Sequence, residues 1–178
     1  MVKKKDYIEP VSPTYSETQR FRQLWIWILI TVPTVVTISS LTWSIFNTPS
    51  NKSTIILTTL ICSIFLSSII YLVYIATLDT KITAVGVFIK FRPFHRKWIL
   101  FPFESIQAAE SCKYNPIRDY GGWGIRYGLK GKAYNVSGNM GVLIKFSDGT
   151  RLLIGSQTNL QLVLSLIHIS EPTRLGMI

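Results

Sequence analysis

Two uncharged apolar runs, residues 24–46 and 54–77, stand almost end to end in the first half of the chain. They constrain the fold more than any other feature. Each is long enough, as a helix rising about 1.5 Å per residue, to cross a hydrocarbon core about 30 Å thick. One charge at mid-membrane would cost roughly 3 kcal/mol on the insertion scale, and neither run carries Lys, Arg, Asp, Glu or His. The two runs therefore predict a transmembrane α-hairpin with the short loop 47–53 at its tip. Trp25 and Trp27 at one end of the first span, Trp43 and Phe46 at the other, and Tyr71 and Tyr74 late in the second fit the aromatic belts of a membrane interface. Pro33 is expected to kink the first span, with Ser or Thr hydroxyls covering the lost hydrogen bond. Ser40 with Ser44, and Ser63 with Ser67, have the small-xxx-small spacing that allows close helix contact. The plainer account of these hydroxyls is bonding to their own backbone carbonyls, and it is preferred. With no ionisable group in either span, an ion or proton pathway is not expected.

Charge sets the expected orientation. The net charge is +10. Residues 78–163 hold twelve Lys or Arg against five Asp or Glu, and residues 1–23 hold five against three. The loop 47–53 holds only Lys52. The positive-inside rule then places both flanks in the cytoplasm and the loop outside. A basic balance can also mean nucleic acid, but a membrane tether makes topology or anionic lipid the better reason, and no nucleic acid is expected. Cys62 and Cys112 lie far apart and suggest neither a disulfide framework nor a metal cluster, so Cys112 reads as a reduced thiol.

The C-terminal stretch 164–174, Leu-Ser-Leu-Ile-His-Ile-Ser-Glu-Pro-Thr-Arg, is similar to the in-frame translation of a transposon adapter used in sequencing libraries. The natural reading frame is expected to stop near Val163, with 164–178 adapter-derived. His168, Glu171 and Pro172 accordingly carry no functional weight.

Residues 1–23 read as a cytoplasmic leader. Residues 1–13 are polar, with Lys3, Lys4 and Lys5, and residues 16–23 look helical with Ser16 as N-cap. From 78 onward the pattern changes to short β-type runs. The stretches 79–82 and 87–91 flank a turn, 93–97 is a basic turn, and 98–103 and 106–114 are strand-like. The stretch 121–141 is glycine-rich. The clearest hairpin is 142–146 with 151–154, joined through Asp148-Gly149, a pair suited to a tight turn. About seven short strands suit a small barrel or sandwich. Thr158 or Asn159 could cap a final helix.

Three stretches, YGGWGIRYG (120–128), AYNVSGN (133–139) and LLIGSQ (152–157), together with the two spans, resemble bacterial pleckstrin-homology-like membrane proteins of uncharacterised function. The resemblance implies a partly open barrel, plugged at one end by a helix, at the cytoplasmic side of the inner membrane. Here that helix is expected to be missing or foreign. The expected fold class is thus α+β: a leader at 1–23, a hairpin at 24–77 and a PH-like domain at 78–163. The resemblance supplies no catalytic residue.

Chemical motifs are sparse. The glycine run 121–128 fails both common phosphate-binding spacings and reads as a bend of close backbone approach. Glu104 and Glu110 are the nearest carboxylate pair, and no nucleophile–base arrangement accompanies them. No catalytic residue, cofactor or metal is expected; His95 lacks any partner at ligand spacing. The candidate contacts are Arg92, His95, Arg96 and Lys97 in the basic turn, where several cations could meet acidic headgroups or a partner protein. Arg118 and Arg126, beside Asp119 and the glycine bend, are further candidates, with a local ion pair as the plainer account. The expected function is a membrane-anchored, non-enzymatic binding or assembly module. Its partners would be the bilayer, anionic headgroups, and a second protein or a second copy. The alternative is an accessory subunit of a membrane enzyme or transporter that docks through its spans.

Overall fold

The computed structural model describes residues 5–7, 12–47, 52–128 and 130–170. The chain divides into two compact units: Phe21–Ile75, and a β-rich unit built from Met1–Arg20 together with Ala76–Ile178. In chain order the elements are β1 (Lys5–Tyr7), β2 (Tyr15–Arg20), α1 (Leu24–Asn47), α2 (Lys52–Ile75), β3 (Thr77–Thr83), β4 (Gly86–Arg92) and β5 (Trp98–Pro102). A single 3-10 turn, Phe103–Ser105, leads to β6 (Ile106–Lys113). Then follow α3 (Pro116–Tyr120), β7 (Gly124–Gly128), β8 (Gly131–Asn135), β9 (Met140–Phe146), β10 (Arg151–Gly155) and α4 (Asn159–Ser170).

The helical unit matches the hairpin reading. Both helices are long and apolar enough to cross a membrane, and they pack along each other. Their hydroxyls return to their own backbone. Thr31, Thr42, Ser44, Thr58 and Ser63 each donate to the carbonyl four residues back, at 2.7–3.0 Å. Thr37 donates to the carbonyl of Pro33 at 2.7 Å. A hydroxyl satisfied this way costs little in an apolar setting, which lets Ser and Thr be frequent in both helices.

The β-rich unit departs from expectation in two ways. First, residues 16–23 do not begin a helix: Tyr15–Arg20 is a strand, paired antiparallel with β3 from Tyr15↔Ile82 to Arg20↔Thr77. The reason is alternation. Gln19, buried on one face, neighbours exposed Thr18 and Arg20 on the other, a period of two that suits a half-buried strand. Part of the supposed leader is therefore part of the folded domain. Of residues 1–13, only 5–7 and 12–13 are among those described.

Second, the strands do not close into a barrel. Two five-stranded sheets form, in the orders β1-β5-β4-β3-β2 and β6-β9-β10-β8-β7. The first is an antiparallel meander from β2 to β5. The second contains a parallel pair, β8 with β10, because β9 skips one position and β10 fills the gap. The sheets meet face to face: the rings of Phe101 and Phe146 lie 5.6 Å apart, and Gln19 Nε2 donates to the Gly155 carbonyl at 2.6 Å. Leu78, Ile82 and Ile89 from the first sheet and Val142, Ile144 and Ile154 from the second are completely buried. The 148–149 turn forms as read: Gly149 adopts φ 78°, and the Asp148 carboxylate accepts from Thr150 N–H at 3.0 Å and Thr150 Oγ1 at 2.6 Å. Those two bonds hold the Asp148 carboxyl below the usual carboxylate range.

The terminal helix forms where a cap at Thr158 or Asn159 predicts one, and from Leu164 onward it consists of the adapter-like residues. α4 starts at Asn159, with the Thr158 carbonyl accepting from Leu162 N–H at 3.0 Å, and it packs on β6 and β9. Leu162 and Leu166, four apart and so on one face, are both buried. Leu166 belongs to the adapter-like stretch; apolar spacing at i, i+4 is enough to seat it.

A hydrogen-bonded clamp joins the start of the domain to this junction. Glu17 accepts from Tyr15 Oη (2.5 Å), Ser156 Oγ (2.6 Å) and the Gln157 N–H (2.8 Å). Tyr15 Oη also meets Thr158 Oγ1 at 2.7 Å.

Candidate functional site

The six candidate cations fall into two groups. Arg92 closes β4 at the end of the first sheet where Arg20, Thr77 and Arg92 line up across three neighbouring strands. Its guanidinium is engaged: Nη2 lies 2.9 Å from Asp79 Oδ2, and Nε donates to Thr77 Oγ1 at 3.1 Å. Thr18 Oγ1 donates to the other Asp79 oxygen at 2.7 Å. Arg92 thus braces β2, β3 and β4 with its charge offset by Asp79.

His95 is also used by the fold. Its N–H donates to the Phe91 carbonyl at 2.7 Å, its Nδ1 faces the Phe91 N–H at 3.4 Å, and its ring meets the Tyr134 ring edge-on at 5.6 Å. Arg96 and Lys97 are exposed. Between these groups stands Phe94, 67% exposed, which the sequence reading passed over. The signal was available: a Phe in a turn of Pro, His, Arg and Lys has no alternating neighbours to carry it into a core.

Arg118 and Arg126 lie around α3. Asn115 caps this short helix, its side chain accepting from the Ile117 and Arg118 N–H groups at 3.1 Å. Gly121, in the left-handed region at φ 74°, ends it. The glycine run is therefore a helix stop leading into edge strand β7. Arg126 Nε donates back to the Trp123 carbonyl at 2.9 Å. The expected pairing of Asp119 with these arginines is replaced: Asp119 Oδ2 accepts from the Asn115 N–H at 2.9 Å, and Oδ1 pairs with Lys130 at 3.0 Å. The Asn115 N–H and then Lys130 hold its carboxyl below the usual range. Glu110 pairs with Lys145 at 2.8 Å, so it is engaged with a cation.

A second basic surface was not anticipated. The Lys132 ammonium lies 4.9 Å from the Tyr127 ring centre and 4.7 Å from that of Tyr134. Tyr127 is 75% exposed. Lys130, Lys132 and Arg151 line an open groove of about 440 Å³ with Tyr127. Because His95 and Lys132 both rest on the buried Tyr134 ring, the 93–97 turn and the β7–β8 edge are joined through one aromatic side chain.

On the other face of the second sheet, Tyr114 and Tyr120 meet edge-to-face at 6.0 Å beneath α3. Burial pushes the Tyr114 hydroxyl up to about 12, against a smaller opposing pull from the Asn135 side chain. A phenol whose folded value is raised stabilises the fold below its ordinary pKa of about 10 and loses that contribution as pH climbs toward the folded value. Alkaline unfolding is therefore expected between pH 10 and about 12. Tyr114→Phe should move its midpoint upward, read by circular dichroism alongside tyrosinate absorbance.

Among the described residues, both cysteines are free and no group of three or more His, Cys, Asp or Glu is placed to hold a metal. Comparison with family models, with curated proteins and with solved structures found no match.

Proposed function

We propose that this chain is a two-span, membrane-anchored, non-enzymatic module. Its β-rich domain, of pleckstrin-homology-like kind, stands at the cytoplasmic face of a bacterial inner membrane and gathers a protein partner or further copies of itself. The observation that carries the reading is where the spans are inserted. They interrupt the first sheet between two adjacent antiparallel strands, whose facing ends are Arg20 and Thr77. A ladder closed at that point requires both ends of the hairpin to return to one side of the bilayer, as two spans do. The basic excess on these flanks then favours the cytoplasmic side. Two carboxylates of the domain, Asp79 and Glu110, are paired with Arg92 and Lys145, which suits binding better than catalysis.

The test is cysteine accessibility in intact cells. An Asn51→Cys variant should react with an impermeant thiol reagent from outside, and an Asp148→Cys variant should react only after lysis. Cys62 and Cys112 are replaced by Ser beforehand. Labelling of position 148 from outside would sink the proposed orientation. Crosslinking from the same cytoplasmic position should then capture one recurring protein or a second copy. Domain-independent capture, identical for the hairpin alone, would favour docking through the spans instead.

A further inference from the structure

We propose that Phe94 and Tyr127, with Arg96, Lys97 and Lys132, form a face that docks on the anionic lipid surface of the same membrane that holds the hairpin. The inference rests on the anchored reading above and adds the surface that meets the bilayer.

Three observations point to it. The first is register. Arg92 sits opposite Thr77, and only Ala76 separates Thr77 from the last residue of α2, so the turn that follows Arg92 leaves the sheet at its span-bearing end. The second is composition. Phe94 and Tyr127 are two-thirds and three-quarters exposed, and exposed rings among cations suit a headgroup layer, where an aromatic body meets the acyl boundary and an ammonium meets phosphate. The third is continuity. The turn carrying Arg96 and Lys97 and the strand carrying Lys132 are held together by His95 and Lys132 on the Tyr134 ring. Two carboxylates close in the fold are already paired, Asp79 with Arg92 and Asp119 with Lys130. Arg96, Lys97 and Lys132 give the face a positive charge that matches an anionic leaflet.

The experiment is hydrogen–deuterium exchange on the full chain in nanodiscs of phosphatidylcholine alone and of phosphatidylcholine with phosphatidylglycerol. Peptides covering 92–97 and 126–132 are expected to exchange at least about fivefold more slowly in the anionic discs, the factor that one exposed cation near anionic lipid supplies. The slowing should vanish in an Arg96→Glu/Lys97→Glu variant, while β9 keeps its protection and so reports an intact fold. A second variant, Phe94→Ser, should lose most of the slowing with every charge in place. Equal exchange in the two compositions overturns the proposal, as does slowing that survives both variants. Slowing only in native membrane vesicles assigns the face to a protein and overturns it too. Co-elution with both kinds of disc reports the hairpin separately. A chain that enters neither disc overturns the anchored reading together with this one, whereas entry with unchanged exchange overturns this one alone.

Discussion

Replacing residues 15–19 with a glycine–serine run of equal length is expected to unfold the β-rich domain while leaving the two apolar helices intact. These residues carry most of β2 and pair with β3 from Ile82 to Leu78. The replacement removes Glu17, leaving Ser156 Oγ and the Gln157 N–H without their acceptor. It also removes Gln19, 98% buried, and its bond to the Gly155 carbonyl. Each lost bond to a buried or charged group costs about 1–3 kcal/mol. Glycine in a strand adds about 0.5–1 kcal/mol per position in backbone entropy. The sum exceeds about 5 kcal/mol, which is the lower end of what a domain of this size has in total. Arg20 and Arg22 are untouched, so the charges that flank the helices and both helices themselves survive. The check is limited proteolysis in detergent: rapid cleavage within β3–β5 and β8–β10, with residues 24–75 still protected. A protease-resistant domain in this variant would show that β2 is a passive edge strand.

That strand marks the limit of what the sequence discloses. The two long apolar helices were legible because each is uniform over more than 20 residues, so composition and length alone announce them. The turns between β3 and β4 and at 148–149 were legible because their signals are local. β2 was not. Ser16 followed by Glu17, Thr18 and Gln19 just before a long helix imitates a helix start, and the partner that makes it a strand lies some sixty residues away across the inserted spans. The strand order of the second sheet was hidden for the same reason, since the parallel β8–β10 pairing depends on where β9 lands and on no local signal. The site divides along this line too. Arg92 and His95 were picked out by charge, but the fold commits them to Asp79 and to Phe91 and Tyr134. Phe94, Tyr127 and Lys132 stand out only once exposure and neighbouring rings are known.

Excising residues 21–76 and joining Arg20 to Thr77 through Asn-Gly should convert the protein into a water-soluble β-rich domain. Arg20 and Thr77 are the last partners of an antiparallel ladder, and such partners have Cα atoms about 4.5–5.5 Å apart. Two residues span that gap in a type I′ turn, and Asn-Gly supplies the positive φ values the turn demands. The excised segment carries the large exposed apolar side chains of both spans, among them Leu29, Val36, Leu60 and Phe65, which no water-soluble protein could present together. What remains keeps both five-stranded sheets, the Phe101–Phe146 contact and the Glu17 clamp, all of which belong to the β-rich unit. Nearly all of the shortened chain should therefore stay in the supernatant after high-speed centrifugation, unfold cooperatively, and show dispersed amide signals by NMR. Shortening the connection from more than fifty residues to two also ties β2 directly to β3. The tightened hairpin should then exchange its β2–β3 amides more slowly than the full chain does in detergent. Aggregation of this variant, or a collapsed spectrum, would mean that the domain depends on the two apolar helices for folding, and the division of the chain into two separable units would fail with it.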